Sequence, residues 1–249
     1  MEFRRLTNDQ ATQASGVVVV VDVIRAFTTA AYAFAAGARD IVLTDTVENA
    51  LSLRDRFQGT LVMGEVNGIK PESFDLGNSP AALVGVDLAG RRLIQRTSAG
   101  TQGVVRSSAG ADALLAGSLC IAGATARAIE RLVPETVTFI ITGTREGSRL
   151  HTGDEDAACA DYIEALLRGE TPDRSAIVRR VLDSPNGRAF LNPAYPELPA
   201  ADLDYCTAID RFDFSLPVIR QDGLLLMMPV QDPEKQRGRP YPVSGSPLF

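Results

Sequence analysis

The chain is poor in the residues that carry several common chemistries. Its three cysteines are Cys120, Cys159 and Cys206. They are scattered, odd in number and form no Cys-x-x-Cys pair, which argues against a disulfide framework and a structural zinc site. The sole histidine, His151, lies in a Gly-rich polar loop. It reads either as a solvated loop residue or as a general acid or base. No Gly-x-Ser-x-Gly elbow or Ser-His-Asp order is present, which removes serine-hydrolase chemistry. A Walker A ending and a G-x-G-x-x-G fingerprint are also missing. No apolar run approaches the roughly 20 residues that a membrane span needs. The segment MEFRRLTNDQ lacks the apolar core of a signal peptide. Nor is there an excess of base: 25 Lys and Arg stand against 31 Asp and Glu, a net charge of −6. That balance argues against binding nucleic acid or an anionic membrane, while leaving room for a local pocket that takes a small anion. The reading is a soluble, cytoplasmic protein.

What the chain has in quantity is apolar residues, 45% of the total, enough for a sizeable core. The stretch GVVVVVDVIRAFTT (Gly16–Thr29) organises the rest. An unbroken β-branched run predicts a strand covered on both faces, as in a parallel sheet. Asp22 falls at its end, and Arg25, Thr28 and Thr29 lead into the Ala-rich, helix-prone AAYAFAAGA. In open α/β sheets, ligands bind outside the carboxyl ends of strands. Asp22 is accordingly either a helix cap or part of a site for an anion and a metal ion.

Further strands are predicted at 41–45, 60–65, 91–97, 118–123 and 136–143, with helices at 47–57, 124–133 and 154–167. The stretch 104–117 reads as helical, at least in part. The alternation predicts an α/β fold, a layered α/β/α sandwich with a mostly parallel, doubly wound sheet. Residues 1–168 form the α/β domain that carries the site. From 169 to 249 a Pro-rich α+β C-terminal part (Pro172, Pro185, Pro193, Pro196 and Pro199) packs on it as an extension. Short helices are predicted near 172–183 and 199–208. Two apolar runs, LPVIR and LLLMMPV, form a hairpin around Gln221-Asp222-Gly223. The last ~15 residues are extended.

Polar groups gather at the strand ends: Asp22 and Arg25, then Glu65, then Arg96 to Thr101, then Thr142 to Arg145 with Glu155 and Asp156. RTSAGTQG (Arg96–Gly103) suits an anion, because small residues let the backbone approach a phosphate before a helix N-terminus. A simple strand-to-helix turn reads equally from it. Asp22, Glu65, Glu155 and Asp156 suit a hard cation. Mg²⁺ takes a few carboxylates plus water and phosphate oxygens, and Arg25 and Arg145 would face the phosphate. Glu155 and Asp156 are alternatively placed to favour a helix N-terminus. The Asp-x-Asp of aspartyl-phosphate phosphatases is absent, since Val23 and Ile24 follow Asp22.

In order and rough spacing, VVVVVDVIRAFTTAAYAFAAGA, GEVNGIKPESFDLGNSP, TSAGT, EDAACADYI and DLDYCTAID resemble the 2-phosphosulfolactate phosphatase family over about residues 16–210. DVIRAFTT and FDLGNSP are the most specific pieces. The resemblance implies Mg²⁺-dependent hydrolysis of a small acidic phosphomonoester, 2-phosphosulfolactate or a related 2-phospho-hydroxyacid, in coenzyme M biosynthesis. It also implies an α/β fold and a homodimer. Carried over by position, it implicates Asp22, Arg25, Glu65, Asn78, Ser79, Thr97, Gly100, Thr101, Glu155 and Asp156. Thr28, Ser98 and Arg145 join the substrate-binding set as neighbours. Asp22, Arg25, Glu65 and Asp156 are the catalytic candidates, and Asp22, Glu65, Glu155 and Asp156 the metal ligands. The family turn Thr-Thr-Asn-Gly-Thr has Ala99 here in place of Asn, and a second Asn is replaced at Ile121. Those departures imply either an altered substrate or a non-catalytic binder of a small anion or metabolite on the same fold.

Overall fold

The computed structural model of the chain describes residues 1–143 and 152–232. Strand β1 (Glu2–Thr7) precedes β2 (Gly16–Val21) and helix α1 (Ala26–Ala35). There follow β3 (Asp40–Thr44), α2 (Val47–Arg56), β4 (Leu61–Gly64) and β5 (Arg92–Arg96). Next come α3 (Gly100–Ser107), β6 (Ala111–Gly117), α4 (Ala122–Leu132) and β7 (Thr136–Ile141). Then come α5 (Asp154–Leu167), α6 (Arg174–Asp183), α7 (Pro185–Phe190) and α8 (Asp202–Cys206). The described chain ends with β8 (Phe214–Gln221), β9 (Leu224–Met227) and the short β10 (Val230–Gln231).

The fold is α/β around a mixed, largely parallel sheet, ordered β1-β7-β2-β6-β8-β9-β3-β5-β4, with β10 beside β8. β1, β7, β2 and β6 pair in parallel, as do β3, β5 and β4. The hairpin β8–β9 sits between the two sets and pairs antiparallel with β6 and with β3. The hairpin read from the sequence is therefore present, but its place is mid-sheet. It also changes the geometry expected of an all-parallel sheet, because three antiparallel steps make β3, β5 and β4 run opposite to β2. Their carboxyl ends still meet. β2, β3, β4 and β5 all pack on one side against α1, and residues after β2, β4 and β5 line one cavity.

One apolar cluster joins the two sets. Val18 and Val20 of β2, Ile41 and Leu43 of β3, Met63 of β4 and Leu93 of β5 surround Phe27, Ala30, Ala31 and Phe34 of α1. The opposite face of β2 (Val17, Val19, Val21) packs on α4, α5 and α6 through Ile129, Ile163, Ile177 and Val181. Both faces of β2 are thus covered, as the valine run requires. A third cluster packs Val42, Val62 and Ile94 against Ala50 of α2.

Two local expectations are corrected. The stretch 104–117 is helical only as far as Ser107, and its ADALLAG (111–117) is strand β6; 118–123 is no strand, since Leu119–Ile121 form a 3-10 turn and α4 starts at Ala122. The segment lacks β-branched residues and reads locally as helix, yet pairing with β2 from Val17↔Ala113 to Val21↔Gly117 overrides that propensity. Strand β1, with the polar sequence EFRRLT, becomes legible only through its pairing with β7. No helix among the described residues is long and apolar enough to cross a membrane.

Gly64 fixes the approach of β4 to β5. Its φ is +139°, and a Cβ there would lie 1.8 Å from the Arg96 carbonyl oxygen. Gly64→Ala is expected to lower stability by about 2–4 kcal/mol, read as a lower urea midpoint; an unchanged midpoint would contradict this packing.

Candidate active site

The strand ends deliver their polar residues to one cavity of about 220 Å³. Asp22, Arg25, Glu65, Asn78, Ser98, Glu155 and Asp156 line it, with Thr142 and Gly143. After β2, Asp22 Oδ1 accepts the Ala26 amide at 2.9 Å, so it caps α1 as well as facing the cavity. After β4, Glu65 ties two loops: Oε1 accepts the Ser98 amide at 2.5 Å and Oε2 accepts the Gly68 amide at 2.6 Å. After β7, Asp156 at the start of α5 accepts Val23 N at 2.8 Å on one oxygen and Gly143 N at 2.8 Å on the other. The Thr142 hydroxyl lies 3.2 Å from Asp156 Oδ2 but shares its single proton with the nearer Val21 carbonyl at 2.9 Å. Next to it, Glu155 Oε1 accepts from Asn186 Nδ2 at 2.9 Å, while the buried Oε2 has no hydrogen-bond partner among the described residues.

Burial dominates the electrostatics. Asp22, Glu155 and Asp156 are 5%, 2% and 2% exposed. Loss of water pushes the Asp22 carboxyl up to about 6, and the nearby Glu65 and Glu155 charges add to the rise. Burial also raises Glu155 and Asp156, and for Asp156 the charges of Glu155 and Asp22 reinforce it. Arg25 is the one buried cation of the lining among the described residues, and it is already paired: Nη1 meets Asp202 Oδ2 at 2.8 Å.

The remaining sequence candidates take supporting places. The Thr28 hydroxyl donates to the Val23 carbonyl and meets Ser118 Oγ at 2.6 Å, fully buried behind the cavity. Thr97 and Thr101 lock onto each other, each hydroxyl accepting the other's amide, at 3.1 and 2.9 Å. Gly100 is the floor behind Asp22: a Cβ there would lie 2.8 Å from Asp22 Oδ2. Ser79 Oγ donates to Asp202 Oδ1 at 2.6 Å. Arg145 and His151 lie outside the described residues. Ala99 lines the cavity, whereas Ile121 is fully buried in the core. Because β6 ends at Gly117, the residue after that strand is Ser118, and the departure at Ile121 does not touch the cavity.

Sequence reasoning missed the wall contributed by the C-terminal part. Asn186, Phe190 and Leu198 line the cavity, and Asp202 stands behind Arg25. Ser184-Pro185 does mark the start of α7, with Ser184 accepting the Gly187 amide. Nothing local, however, places α7 over the end of β2.

A cation fits the donor chemistry. The cluster offers hard carboxylate oxygens, excess buried negative charge and an orphaned Glu155 oxygen. Among the described residues no three His, Cys, Asp or Glu side chains form a ready-made metal cage. Mg²⁺ keeps several waters and takes one or two carboxylates with phosphate oxygens, so it needs no such cage.

The comparisons with known proteins agree on one family. The model of the 2-phosphosulpholactate phosphatase family matches residues 4–222. A Bacillus subtilis protein named probable 2-phosphosulfolactate phosphatase is 32% identical, over 82% of this chain and 87% of its own. A Thermus thermophilus protein of the same name is 33% identical over 82% and 88%. One from Deinococcus radiodurans is 36% identical over 78% and 83%.

The raised carboxyls set a pH dependence. A raised folded-state pKa gives stability that is present at low pH and lost as pH climbs through the folded value. The metal-free protein is therefore expected to lose melting temperature between about pH 4 and pH 6. Asp22→Asn should stabilise the protein at pH 7.5 by up to about 3 kcal/mol, seen as a higher melting temperature, because the carboxyl it removes is pushed from 3.8 up to about 6. Scanning calorimetry in EDTA checks both; a variant no more stable than the parent at pH 7.5 would contradict the buried-charge account.

Proposed function

This chain belongs to the 2-phosphosulpholactate phosphatase family, and from that premise we propose that it is a phosphoric monoester hydrolase. Its substrate is a small acidic phosphomonoester, 2-phosphosulfolactate or a related 2-phospho-hydroxyacid, split to the hydroxyacid and phosphate. The observation that carries the reading is the group of buried carboxylates with an unpartnered Glu155 oxygen, facing Arg25 across one cavity.

The roles follow from what each side chain has left to give. Arg25 and the Asn67 and Asn78 amides present donors to the phosphoryl oxygens. Asp156 is held in place by the Val23 and Gly143 amides, one on each oxygen, so it shapes the site from a fixed position. Asp22, with Oδ1 held by the Ala26 amide, would orient the water that attacks phosphorus, and the proton that water releases would pass to the hydroxyacid oxygen as the ester P–O bond breaks. Asp22 and Glu155 would hold Mg²⁺, with Glu65 and Asp156 around them. When bound, that ion would neutralise charge on the phosphoryl oxygens. Thr97 and Thr101 spend their hydroxyls on each other, so the turn after β5 offers the cavity only Ser98 and Ala99. A homodimer in the cytoplasm, on a route to coenzyme M, is the setting that the family reading carries.

Ala99 in the lining favours a second reading, a small-anion binder that kept the fold and lost turnover. Phosphate release from 2-phosphosulfolactate and other 2-phospho-hydroxyacids, with and without Mg²⁺, separates the two. The expected result is Mg²⁺-dependent release that Asp22→Asn lowers by about 10²–10⁴-fold. Thermal stabilisation by phosphate without any release would favour the binder.

A further inference from the structure

We infer that Asp202 is a positioning residue that aims the Arg25 guanidinium at the phosphoryl group, and that Ser79 acts through it. The inference rests on the proposed role of Arg25 as a phosphate ligand. Asp202 is fully buried and accepts three donors from two other parts of the chain. Arg25 Nη1 reaches Oδ2 at 2.8 Å, while Ser79 Oγ and the Ala81 amide reach Oδ1 at 2.6 and 3.1 Å. One carboxylate thus joins the β2–α1 turn, the end of the long loop after β4, and α8.

Two further contacts restrict the guanidinium. Its carbon lies 4.9 Å from the centroid of the Phe190 ring, so the ring covers one face. Nη2 approaches the Gly68 carbonyl at 3.4 Å, a long contact that a stronger acceptor displaces. Asp202 holds one edge of the fork, Phe190 covers its plane, and Arg25 lines the cavity with Nη2 held, among the described residues, only by the long Gly68 contact. A free arginine loses much rotamer freedom when it binds a ligand. Here that ordering is completed in the folded protein before phosphate arrives, which is what positioning contributes to rate. A buried ion pair adds little net stability against an apolar alternative, so folding alone gives weak reason for this one. The arrangement also accounts for Ser79, which belongs to the FDLGNSP stretch yet does not line the cavity.

The test is a double-mutant cycle with Arg25→Gln, using 2-phosphosulfolactate for turnover and inorganic phosphate for thermal-shift binding. Asp202→Asn is expected to lower kcat/KM by roughly 10–100-fold and to weaken stabilisation by phosphate. On the Arg25→Gln background it should cost nothing further, because its effect passes through Arg25. Ser79→Ala removes one bond to Asp202 without touching Arg25; it should show a smaller loss that also vanishes on that background, and it carries the test if Asp202→Asn does not fold. Rate losses that persist in full on the Arg25→Gln background, or unchanged rates in both single variants, would overturn the inference while leaving the site in place. An Arg25→Gln variant with unaltered turnover and phosphate binding would overturn the role of Arg25 itself.

Discussion

Buried negative charge that exceeds the buried positive charge among the described residues is the constraint on which this molecule turns. Asp22, Glu155 and Asp156 are nearly removed from water, and their carboxyls are pushed up by burial and by one another. The buried guanidinium beside them is neutralised by Asp202. Such a cluster costs stability at neutral pH, and a fold keeps it where the charge has work to do. The amides of Ala26, Val23 and Gly143 soften the cost by donating to Asp22 and Asp156. They also fix the carboxylates, which gives the cluster a defined shape.

The sheet exists in the form that brings these groups together. A flat mixed sheet would hold the ends of β2 and β5 at opposite edges, given the strand directions. The core around α1, shared by β2, β3, β4 and β5, accompanies their meeting at one cavity. Gly100 then lets the turn after β5 sit directly on Asp22, and Gly64 lets β4 close on β5 so that Glu65 can staple the loops. The late hairpin β8–β9 is therefore central to the site although it contributes no residue to the cavity.

Much of this was legible in the sequence, and the reasons are physical. Five valines ending in Asp22 can only be a doubly covered strand that stops at a polar group, and β2 is that strand. The acids before an apolar-periodic segment mark the start of α5, and the Pro- and Gly-rich 66–80 stretch is the long loop that brings Asn78 to the cavity. What escaped were matters decided by tertiary pairing. ADALLAG prefers helix by itself and becomes β6 only beside β2. Asp202, Asn186 and Phe190 belong to short helices whose composition carries no trace of the strand ends they face. The hydroxyls of Thr97 and Thr101 looked free in the sequence and are consumed by each other.

The central claim is that the carboxylate cluster is completed by a cation and a phosphate together. Calorimetric titration of Mg²⁺ into the protein at neutral pH, with and without saturating inorganic phosphate, tests it most directly. The account predicts Mg²⁺ binding that tightens when phosphate is present, since each neutralises the other in the same cavity, and that is lost when Glu155 is changed to Gln. Absence of Mg²⁺ binding in both titrations, or binding that Glu155→Gln leaves intact, would contradict it.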